Sequence, residues 1–388
     1  MEKVFNTIIE RLNNLIVVAN SEGAVEYVSP SVKTILGYEP SELLGNGWWN
    51  KTKSNEDDAL LFKEYIKNQF ESNKNLGLKE VSYERQLKTA SGVNKWILWN
   101  MSIGPDNSII SIGSDITKRK SAETALEEKN RILLKKNEDI IDSIQYARKI
   151  QDAILPSIDA ITKNLADGFV LYLPKDVVSG DFYWYYKKDN KIFIAAVDCT
   201  GHGVPGALMS VVGNSILKDV IVKRGIENPS EILEVLDNDV NNLLQKEDSY
   251  DVMSDGMDMA LAVIDLETNF LTFAGAMRPL WIVRNNEVID IKGNRFPIGY
   301  FYGVEKIFTN VEIELKKDDQ IYLFSDGYSD QFGGEKNKKF NRSKMKELLV
   351  SINSMSGEEQ RGFLEYALKN WRQEIEQTDD VLLIGLKI

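Results

Sequence analysis

The chain is short of the residues that most often mark redox and haem chemistry. Its 388 residues include one cysteine, Cys199, and one histidine, His202. A single cysteine excludes an internal disulfide, as is usual for a cytoplasmic protein, and we expect that location. No apolar run approaches the roughly 20 residues that a membrane-spanning helix needs, so we expect no membrane segment.

Basic residues are also scarce relative to acidic ones. The chain has 47 Lys and Arg residues against 59 Asp and Glu residues, which leaves a formal net charge of -12. Nucleic acids and anionic membranes bind basic surfaces, so this balance argues against both as partners. The hydrophobic content of 43% is ordinary for a globular protein. The length predicts two or three domains.

The middle of the chain lacks the two residues that most often interrupt a helix. No proline occurs between Pro105 and Pro156, and no glycine occurs between Gly113 and Gly168. This absence predicts one long helix that ends near Pro156, because the residue before a proline disfavours the helical conformation. The helix divides the chain into an N-terminal domain, a helical linker and a C-terminal domain: 1–117, 118–156 and 157–388.

The N-terminal domain alternates short apolar runs with turn residues, which predicts a small α+β domain. The stretches YVSPSVKTILGYEPSELLG (27–45) and GSDITKRK (113–120) resemble the PAS sensor family. The second stretch resembles the exit of a PAS domain at the start of a helix. Asp115 and Thr117 could cap that helix, since their side-chain oxygens can accept from its free N–H groups.

The ligand of this PAS-like domain stays unknown, but two classes are excluded. Residues 1–120 contain no histidine to ligate haem and no cysteine to form a flavin adduct. Four tryptophans could line a small-ligand pocket, although such residues are more often core or interface residues. They are Trp48, Trp49, Trp96 and Trp99.

The linker carries a heptad repeat. Apolar residues occupy the d positions, namely Leu126, Leu133, Ile140, Ala147 and Ile154. The a positions are mostly polar, namely Glu123, Asn130, Asn137, Ile144 and Gln151. Asparagine at an a position selects a two-stranded coiled coil, so we expect a parallel homodimer. The alternative is an amphipathic helix that packs on one of its own domains.

The C-terminal domain groups its strands in runs. Helical patterns fall at 206–223, 229–245 and 342–376, between these runs. Such grouping favours a layered α+β domain over a strictly alternating parallel sheet.

Four acidic motifs follow one another along this domain. They are VVSGDFYW (177–184), AVDCTGHGVPGALMS (196–210), FSDGYSDQF (324–332) and TDDVLLIGL (378–386). Three of them adjoin predicted strands, so their carboxylates are expected to converge on one edge of a sheet. Mn²⁺ and Mg²⁺ prefer oxygen ligands, and two such ions can activate a water for attack on phosphorus.

The order of these motifs resembles the SpoIIE/RsbU branch of the metal-dependent protein phosphatase (PPM) superfamily. The family pattern is Gly-Gly-Asp, Asp-x-x-Gly-His-Gly, Ser-Asp-Gly and a closing Asp-Asp, and the resemblance covers about 145–388. It implies an αββα-layered domain. The stretch SIQYARKIQDAILP (143–156) resembles the helix that precedes the catalytic domain in this family.

The resemblance implies a metal ligand at several positions. Asp198 would bridge two Mn²⁺ or Mg²⁺ ions, with a contribution from the backbone carbonyl of Cys199. The remaining ligands would be Asp181, Asp326 and Asp379, with Asp380 ranked below its neighbour. Asp258 could reach a third ion or the substrate, and this role stays open.

Two further residues have a functional and a structural interpretation. His202 could be the general acid for the leaving seryl oxygen, or a hydrogen-bonded loop residue. Arg278 could pair with the substrate phosphate, or be a solvated loop residue.

The chain departs from the family pattern at three places. Ser179 replaces the first glycine of Gly-Gly-Asp, and Trp184 stands where many members carry another aspartate. The turn GAMRPLW (275–281) replaces one rich in histidine and proline. None of these changes removes a core ligand, so we expect activity.

The implied function is a PAS-regulated phosphatase that hydrolyses phosphoserine or phosphothreonine on a protein. By resemblance, the substrate would be a phosphorylated anti-sigma-factor antagonist of the STAS type. One alternative is a catalytically weak, phosphatase-like signalling scaffold. Another is a hydrolase for small phosphoesters, although no Walker-type loop favours it.

Overall fold

The computed structural model describes residues 12–53, 81–104, 108–163, 165–244, 255–299 and 305–388. Contacts between residues divide the chain into two units, Met1–Asn137 and Glu138–Ile388.

A five-stranded antiparallel sheet forms the centre of the first unit. Its strands lie in the order β2-β1-β5-β4-β3. They are β1 (Leu15–Ala19), β2 (Val25–Val28), β3 (Val81–Lys88), β4 (Asn94–Ile103) and β5 (Ile109–Asp115). Between β2 and β3 lie helix α1 (Ser31–Ile35), a 3-10 turn (Pro40–Leu43) and helix α2 (Gly47–Lys51). Leu15, Val17 and Ala19 alternate on the buried face of β1, as the two-residue period of a strand requires.

Two of the four tryptophans are core residues of this sheet domain. Trp48 and Trp99 are buried and meet edge to face, with ring centroids 5.7 Å apart. Trp49 is partly buried and donates its indole N–H to the carbonyl of Gly23. The interpretation of such tryptophans as core is therefore confirmed for Trp48 and Trp99.

The long helix predicted from the absence of proline and glycine is α3, Thr117–Ile154. Asp115 Oδ1 accepts the N–H of Thr117 at 2.9 Å, so the predicted Asp115 cap is confirmed. Thr117 does not cap the helix. Its hydroxyl instead accepts the N–H of Trp96 at 2.9 Å and ties the start of the helix to β4.

The apolar positions along α3 are exposed in this chain. Leu126, Leu133 and Ile140 are 56–60% exposed. The last turn differs, because Gln151 is only 3% exposed. It belongs to the second unit and donates there to the carbonyl of Ser179. The prediction that Gln151 continues the a positions of a coiled-coil seam is therefore wrong, and the alternative of packing on its own domain holds for that turn.

Two antiparallel sheets form the centre of the second unit. The first has the order β14-β10-β9-β8-β7, with β13 paired to β9, and the second has the order β12-β11-β15-β18-β6. The first sheet comprises β7 (Phe182–Lys188), β8 (Lys191–Cys199), β9 (Gly256–Asp265), β10 (Phe270–Ala276), β13 (Ile298–Gly299) and β14 (Val311–Glu314). The second comprises β6 (Asp167–Leu173), β11 (Leu280–Arg284), β12 (Glu287–Ile291), β15 (Gln320–Phe324) and β18 (Val381–Lys387). A small ribbon pairs β16 (Phe332–Gly333) with β17 (Lys338–Lys339).

Helices cover the outer faces of the two sheets. They are α5 (Gly203–Leu217), α6 (Pro229–Leu244), α7 (Gly327–Asp330), α8 (Arg342–Ile352) and α9 (Gly357–Arg372). The short helix α4 (Ile158–Thr162) instead adds Ile161 to the apolar layer between the sheets. One apolar layer lies between the sheets and contains Ile194 and Leu323. A second joins the first sheet to α5 and α6, and a third joins the second sheet to α8 and α9. The predicted α+β class with αββα layers is confirmed.

The helical pattern at 342–376 forms two helices rather than one. Helix α8 ends at Ile352, and α9 begins at Gly357. Ser356 and Glu359 form a reciprocal capping box at the start of α9. Each side chain accepts the backbone N–H of the other residue, which starts a new helix.

One helical stretch of the described residues, Gly203–Lys223, is long and apolar enough by composition to cross a membrane. It is α5 followed by a π-helical turn, Lys218–Lys223. Its buried residues, among them Met209 and Leu217, pack in the core against the first sheet, which accounts for its apolar composition.

Candidate functional site

Three carboxylates meet at one edge of the paired sheets. Asp198 near the end of β8 lies opposite Asp258 in β9, and Asp326 follows β15. All three contact a single guanidinium. Arg278 Nη2 lies 2.8 Å from Asp198 Oδ2, 2.9 Å from Asp258 Oδ2 and 2.7 Å from Asp326 Oδ2. The sheets thus bring together acids that lie far apart in the sequence.

The charges in this cluster, which we call the Arg278 cluster, do not balance. Three carboxylates face one cation, a formal surplus of two negative charges (three minus one). Burial raises the pKa of Asp198 to about 7, Arg278 opposes that rise, and the charges of Asp326 and Asp258 add to it. Burial likewise raises the pKa of Asp258. Such a cluster is stabilised by a further cation or by protonation.

A pocket of about 530 Å³ lies over the cluster. Seven of the eight residues singled out from the sequence line it: Asp198, Cys199, His202, Asp258, Arg278, Asp326 and Asp379. Arg295 also lines the pocket, and no motif in the sequence pointed to it. The eighth residue, Asp181, does not line the pocket.

Asp181 is buried beside the cluster, with 2% of its surface exposed. Its Oδ2 atom has no hydrogen-bond partner among the described residues. Burial and then the charge of Asp198 raise the pKa of Asp181 well above its ordinary value, and a hydrogen bond from Ser325 opposes this. A buried, unpartnered carboxylate oxygen is costly unless it has a ligand, so the position suits a metal-binding residue.

The two closing aspartates have different environments. Asp380 is 3% exposed, and its carboxylate accepts the backbone N–H groups of Lys175 and Gly180, each at 2.7 Å. It therefore holds the loop that leads to Asp181. Asp379 is partly exposed and lines the pocket, and its Oδ1 accepts the N–H of Asp380 at 2.9 Å.

His202 precedes α5, between two glycines with left-handed backbone, Gly201 at φ 81° and Gly203 at φ 67°. Its Nδ1 lies 2.7 Å from Asp176 Oδ2, and both side chains are about half exposed. A carboxylate at Nδ1 favours the tautomer with its proton there and leaves Nε2 for proton exchange. Sequence reasoning missed Asp176, because no motif surrounds it and only the fold brings it to His202.

The loops of the site approach one another backbone to backbone. A Cβ on Gly180 would lie 2.5 Å from the carbonyl oxygen of Gly201, and one on Gly206 would lie 2.2 Å from it. Both distances are shorter than any real carbon–oxygen contact. Glycine is therefore required where the Asp181 loop, the His202 loop and α5 meet.

Cys199 has its thiol in the core against the first sheet. Burial raises the pKa of this thiol well above its ordinary value, which disfavours the nucleophilic thiolate. Its carbonyl oxygen would lie 3.2 Å from a Cβ on Gly180, so the carbonyl is close to the Asp181 loop.

The donor chemistry of the site fits a hard divalent cation, although the side chains are not arranged around one. Among the described residues, no group of three or more His, Cys, Asp or Glu side chains forms a metal-binding cluster. The reason is local, because the Arg278 guanidinium lies among the three carboxylates. Oxygen-only donors, surplus negative charge and the unpartnered Asp181 oxygen are the features that a divalent ion would satisfy.

Comparison with known proteins places these features in a family. Residues 188–388 match the family model of Stage II sporulation protein E (SpoIIE), a range that contains Asp198, Asp258, Asp326 and Asp379 but not Asp181. Residues 13–118 match a PAS domain model.

Two relatives illustrate the similarity. The chain is 25% identical over 197 residues to phosphoserine phosphatase RsbU of Bacillus subtilis, a match that spans 50% of this chain and 55% of that protein. It is 32% identical to the SiaA-PP2C domain of Pseudomonas aeruginosa, with a TM-score of 0.59 over 65% of this chain and 98% of that domain. The chain therefore belongs to the SpoIIE family and carries a PAS domain ahead of a domain with the PP2C phosphatase fold.

Proposed function

We propose that this chain is a divalent-metal-dependent phosphatase that hydrolyses phosphoserine or phosphothreonine on a protein partner. The observation that carries the proposal is the charge surplus of the Arg278 cluster, at the base of an open pocket in a domain of the SpoIIE family. The names of the two relatives, a phosphoserine phosphatase and a PP2C domain, support the same class of reaction.

The ligands of two Mn²⁺ or Mg²⁺ ions would be Asp181, Asp198, Asp326, Asp379 and the carbonyl of Cys199. When bound, the two ions supply Lewis-acid activation of water and stabilise charge on the phosphoryl group. The carboxylates of the chain hold them, and the loops joined at Gly180 and Gly201 keep the carboxylates in place. Asp258 is the candidate for a third ion or for a contact to substrate.

Arg278 would have two states. Without a divalent ion it offsets one of the three negative charges of Asp198, Asp258 and Asp326, as its three short contacts support. Once other cations neutralise these acids, its guanidinium would be available to pair with a substrate phosphate, for which its planar donor geometry is suited.

His202 would donate a proton to the leaving seryl or threonyl oxygen. Asp176 at Nδ1 would orient the ring, so that Nε2 faces the leaving oxygen. This arrangement fits a general acid, whose removal slows hydrolysis most when the leaving group is poor. The alternative, a hydrogen-bonded loop histidine, predicts equal losses with good and poor leaving groups.

The phosphatase would act as a cytoplasmic, PAS-regulated homodimer on a phosphorylated STAS-type protein. The exposed apolar d positions of α3, such as Leu126, Leu133 and Ile140, support a two-stranded helical contact. Sedimentation of the full chain at micromolar concentration tests this directly, because a monomer there would exclude the dimer.

Phosphate release tests the function itself. We expect Mn²⁺-dependent release from a phosphoserine peptide, little release from nucleotides, and reversible loss of activity with EDTA. Release from neither substrate would favour the scaffold alternative. Faster release from nucleotides would favour a hydrolase for small phosphoesters.

A further inference from the structure

A run of basic residues follows the third acidic motif, in a chain that is acidic as a whole. Residues 336–346, with the sequence KNKKFNRSKMK, include six lysines and arginines and no acidic residue. We call these residues the basic segment. It comprises β17, a short connection and the first turns of α8. Its local charge is therefore opposite in sign to the net charge of -12 of the whole chain.

Hydrogen bonds tie the basic segment to the loop of Asp326, a proposed metal ligand. The N–H of Asn341 donates to the carbonyl of Ser329 at 2.7 Å, and the hydroxyl of Ser329 donates to the carbonyl of Asp326 at 3.0 Å. Lys339 Nζ also lies 2.6 Å from Asp330 Oδ2, on the short helix α7 that follows Asp326. The segment therefore has a fixed position next to a loop that lines the pocket.

The backbone that carries these charges is packed against the domain. Phe340 is buried, and its ring meets those of Tyr328 and Trp371 edge to face, with centroids 5.3 Å apart in both pairs. A Cβ on Gly333, in the partner strand β16, would lie 2.0 Å from the carbonyl oxygen of Trp371. The side chain of Asn341 caps α8. Little backbone ordering is then needed when the segment binds a ligand, which favours affinity.

The charges of the basic segment act on the acids of the site. Burial raises the pKa of Asp258, and Arg342 is among the charges that oppose this rise. The hydrogen bond to Asp330 raises the pKa of Lys339, and the charge of Asp326 adds to that rise. The segment is therefore within electrostatic range of a molecule that occupies the pocket.

Several basic side chains at this end of the domain have no internal counter-charge. Four of them are exposed and form no ion pair with a described residue, namely Arg295, Lys336, Lys338 and Arg342. Arg295 lines the pocket itself. Exposed charges of this kind are available to a ligand, and they affect the encounter rate and the specificity of binding more than its overall strength.

We propose that the basic segment, together with Arg295, receives an acidic stretch of the phosphoprotein substrate, so that the enzyme selects phosphoserine sites with Asp or Glu nearby. The acidic remainder of the chain repels such a partner, and the segment directs its approach to the pocket. The inference rests on the proposed phosphatase function, and it adds the kind of protein sequence that the enzyme selects.

The test compares two pairs of exposed lysines. Lys336→Gln with Lys338→Gln removes two charges from the segment, whereas Lys316→Gln with Lys317→Gln removes two charges ahead of β15, at the opposite end of that strand from Asp326. The measurement is Mn²⁺-dependent kcat/KM for two phosphoserine peptides of one length, one with glutamates and one with glutamines around the phosphoserine. We expect the preference for the acidic peptide to fall about 3–10-fold in the first variant, as for the loss of two exposed ion pairs, and to persist in the second.

Arg295→Gln and added salt provide two further measurements. Arg295→Gln should lower the preference most for a peptide whose glutamate is next to the phosphoserine, because Arg295 lines the pocket. The preference of the unmodified protein should weaken as the ionic strength rises from about 0.05 to 0.5 M, because salt screens exposed charges.

Three results would overturn the inference. One is an unmodified protein that hydrolyses both peptides at the same rate. Another is a first variant that loses activity on both peptides in proportion, which would mean that the segment only supports the Asp326 loop. The third is an unchanged peptide preference in a first variant that no longer sediments with phosphatidylserine vesicles that bind the unmodified protein, which would identify the segment as a lipid-binding surface. If the unmodified protein hydrolyses neither peptide with Mn²⁺, the proposed function itself is wrong.

Discussion

Two buried cations in the second unit have opposite surroundings. Lys306 lies 2.7 Å from Asp237 Oδ1, donates to the carbonyl of Pro297 at 3.0 Å, and has 1% of its side chain exposed. One cation there meets one carboxylate. Arg278 meets three carboxylates at the base of a pocket.

The difference distinguishes an ion pair that stabilises the fold from a charged cluster that can bind a ligand. An enclosed ion pair with balanced charges and satisfied hydrogen bonds does not need a further ligand. Removal of one partner leaves the other as a buried, uncompensated ion. A surplus of like charge is retained only where a ligand or a proton compensates it, and the pocket gives solvent and ions access. We therefore expect substitutions in the two clusters to affect different properties.

The largest effect is expected for Asp198→Asn and Asp326→Asn, which should each abolish phosphate release from a phosphopeptide. Each variant removes a carboxylate from the group that is proposed to hold the metal. The free energy of unfolding without metal should be unchanged or higher, because the like-charge surplus falls. Near-normal turnover at saturating Mn²⁺ in either variant would falsify the ligand assignment.

His202→Ala, at the rim of the same pocket, should slow hydrolysis of phosphoserine by about 10²–10⁴-fold without abolishing it. An aryl phosphate has a better leaving group and needs less protonation, so its hydrolysis should fall less. Steady-state rates on the two substrates measure this difference. Equal losses would identify a structural histidine.

In the balanced pair, Asp237→Asn should lower the free energy of unfolding by about 3–5 kcal/mol, because it leaves Lys306 buried without its counter-charge. Urea denaturation measures the loss. The Mn²⁺ affinity of the protein that remains folded should not change. A large change in that affinity would contradict the separation of the two clusters.

Arg278→Gln should destabilise the metal-free protein by about 1–3 kcal/mol, less than Asp237→Asn, because the pocket admits water and the carboxylates can protonate. Mn²⁺ should then raise the melting temperature of the variant more than that of the unmodified protein. Thermal unfolding with and without Mn²⁺ measures both changes. An equal rise in the two proteins would show that Arg278 does not compensate the acids.

The smallest effect concerns pH. The pKa of Asp198 is raised from 3.8 to about 7 in the metal-free folded state. Between these two pH values the folded state keeps a proton that the unfolded state has released. Stability from this group is full below pH 4 and is lost as the pH rises toward 7. Between pH 6 and 7 the unfolding free energy should fall by about 1 kcal/mol more in the unmodified protein than in Asp198→Asn. Parallel pH profiles of the two proteins would contradict the raised pKa.

Several features could be predicted from the sequence because their causes are local. The absence of proline and glycine between Gly113 and Pro156 predicts α3, and strand periodicity predicts most strands of both units. The acidic motifs carry their own turns and glycines, so Asp198, Asp326 and Asp379 of the pocket could be named in advance, whereas Arg295 could not. The break before α9 was also encoded locally, by Ser356 and Glu359, but the helical pattern on either side concealed it.

Only the tertiary structure decided which side chains meet. Asp176 and His202 lie 26 residues apart, Gln151 and Ser179 lie 28 apart, and Arg278 and Asp326 lie 48 apart. No periodicity or motif links such pairs, because their contacts depend on how two sheets and their loops pack. The heptad pattern placed Gln151 in a dimer seam, whereas the fold buries it beside the Asp181 loop, since hydrogen-bond partners there compensate the burial of its amide.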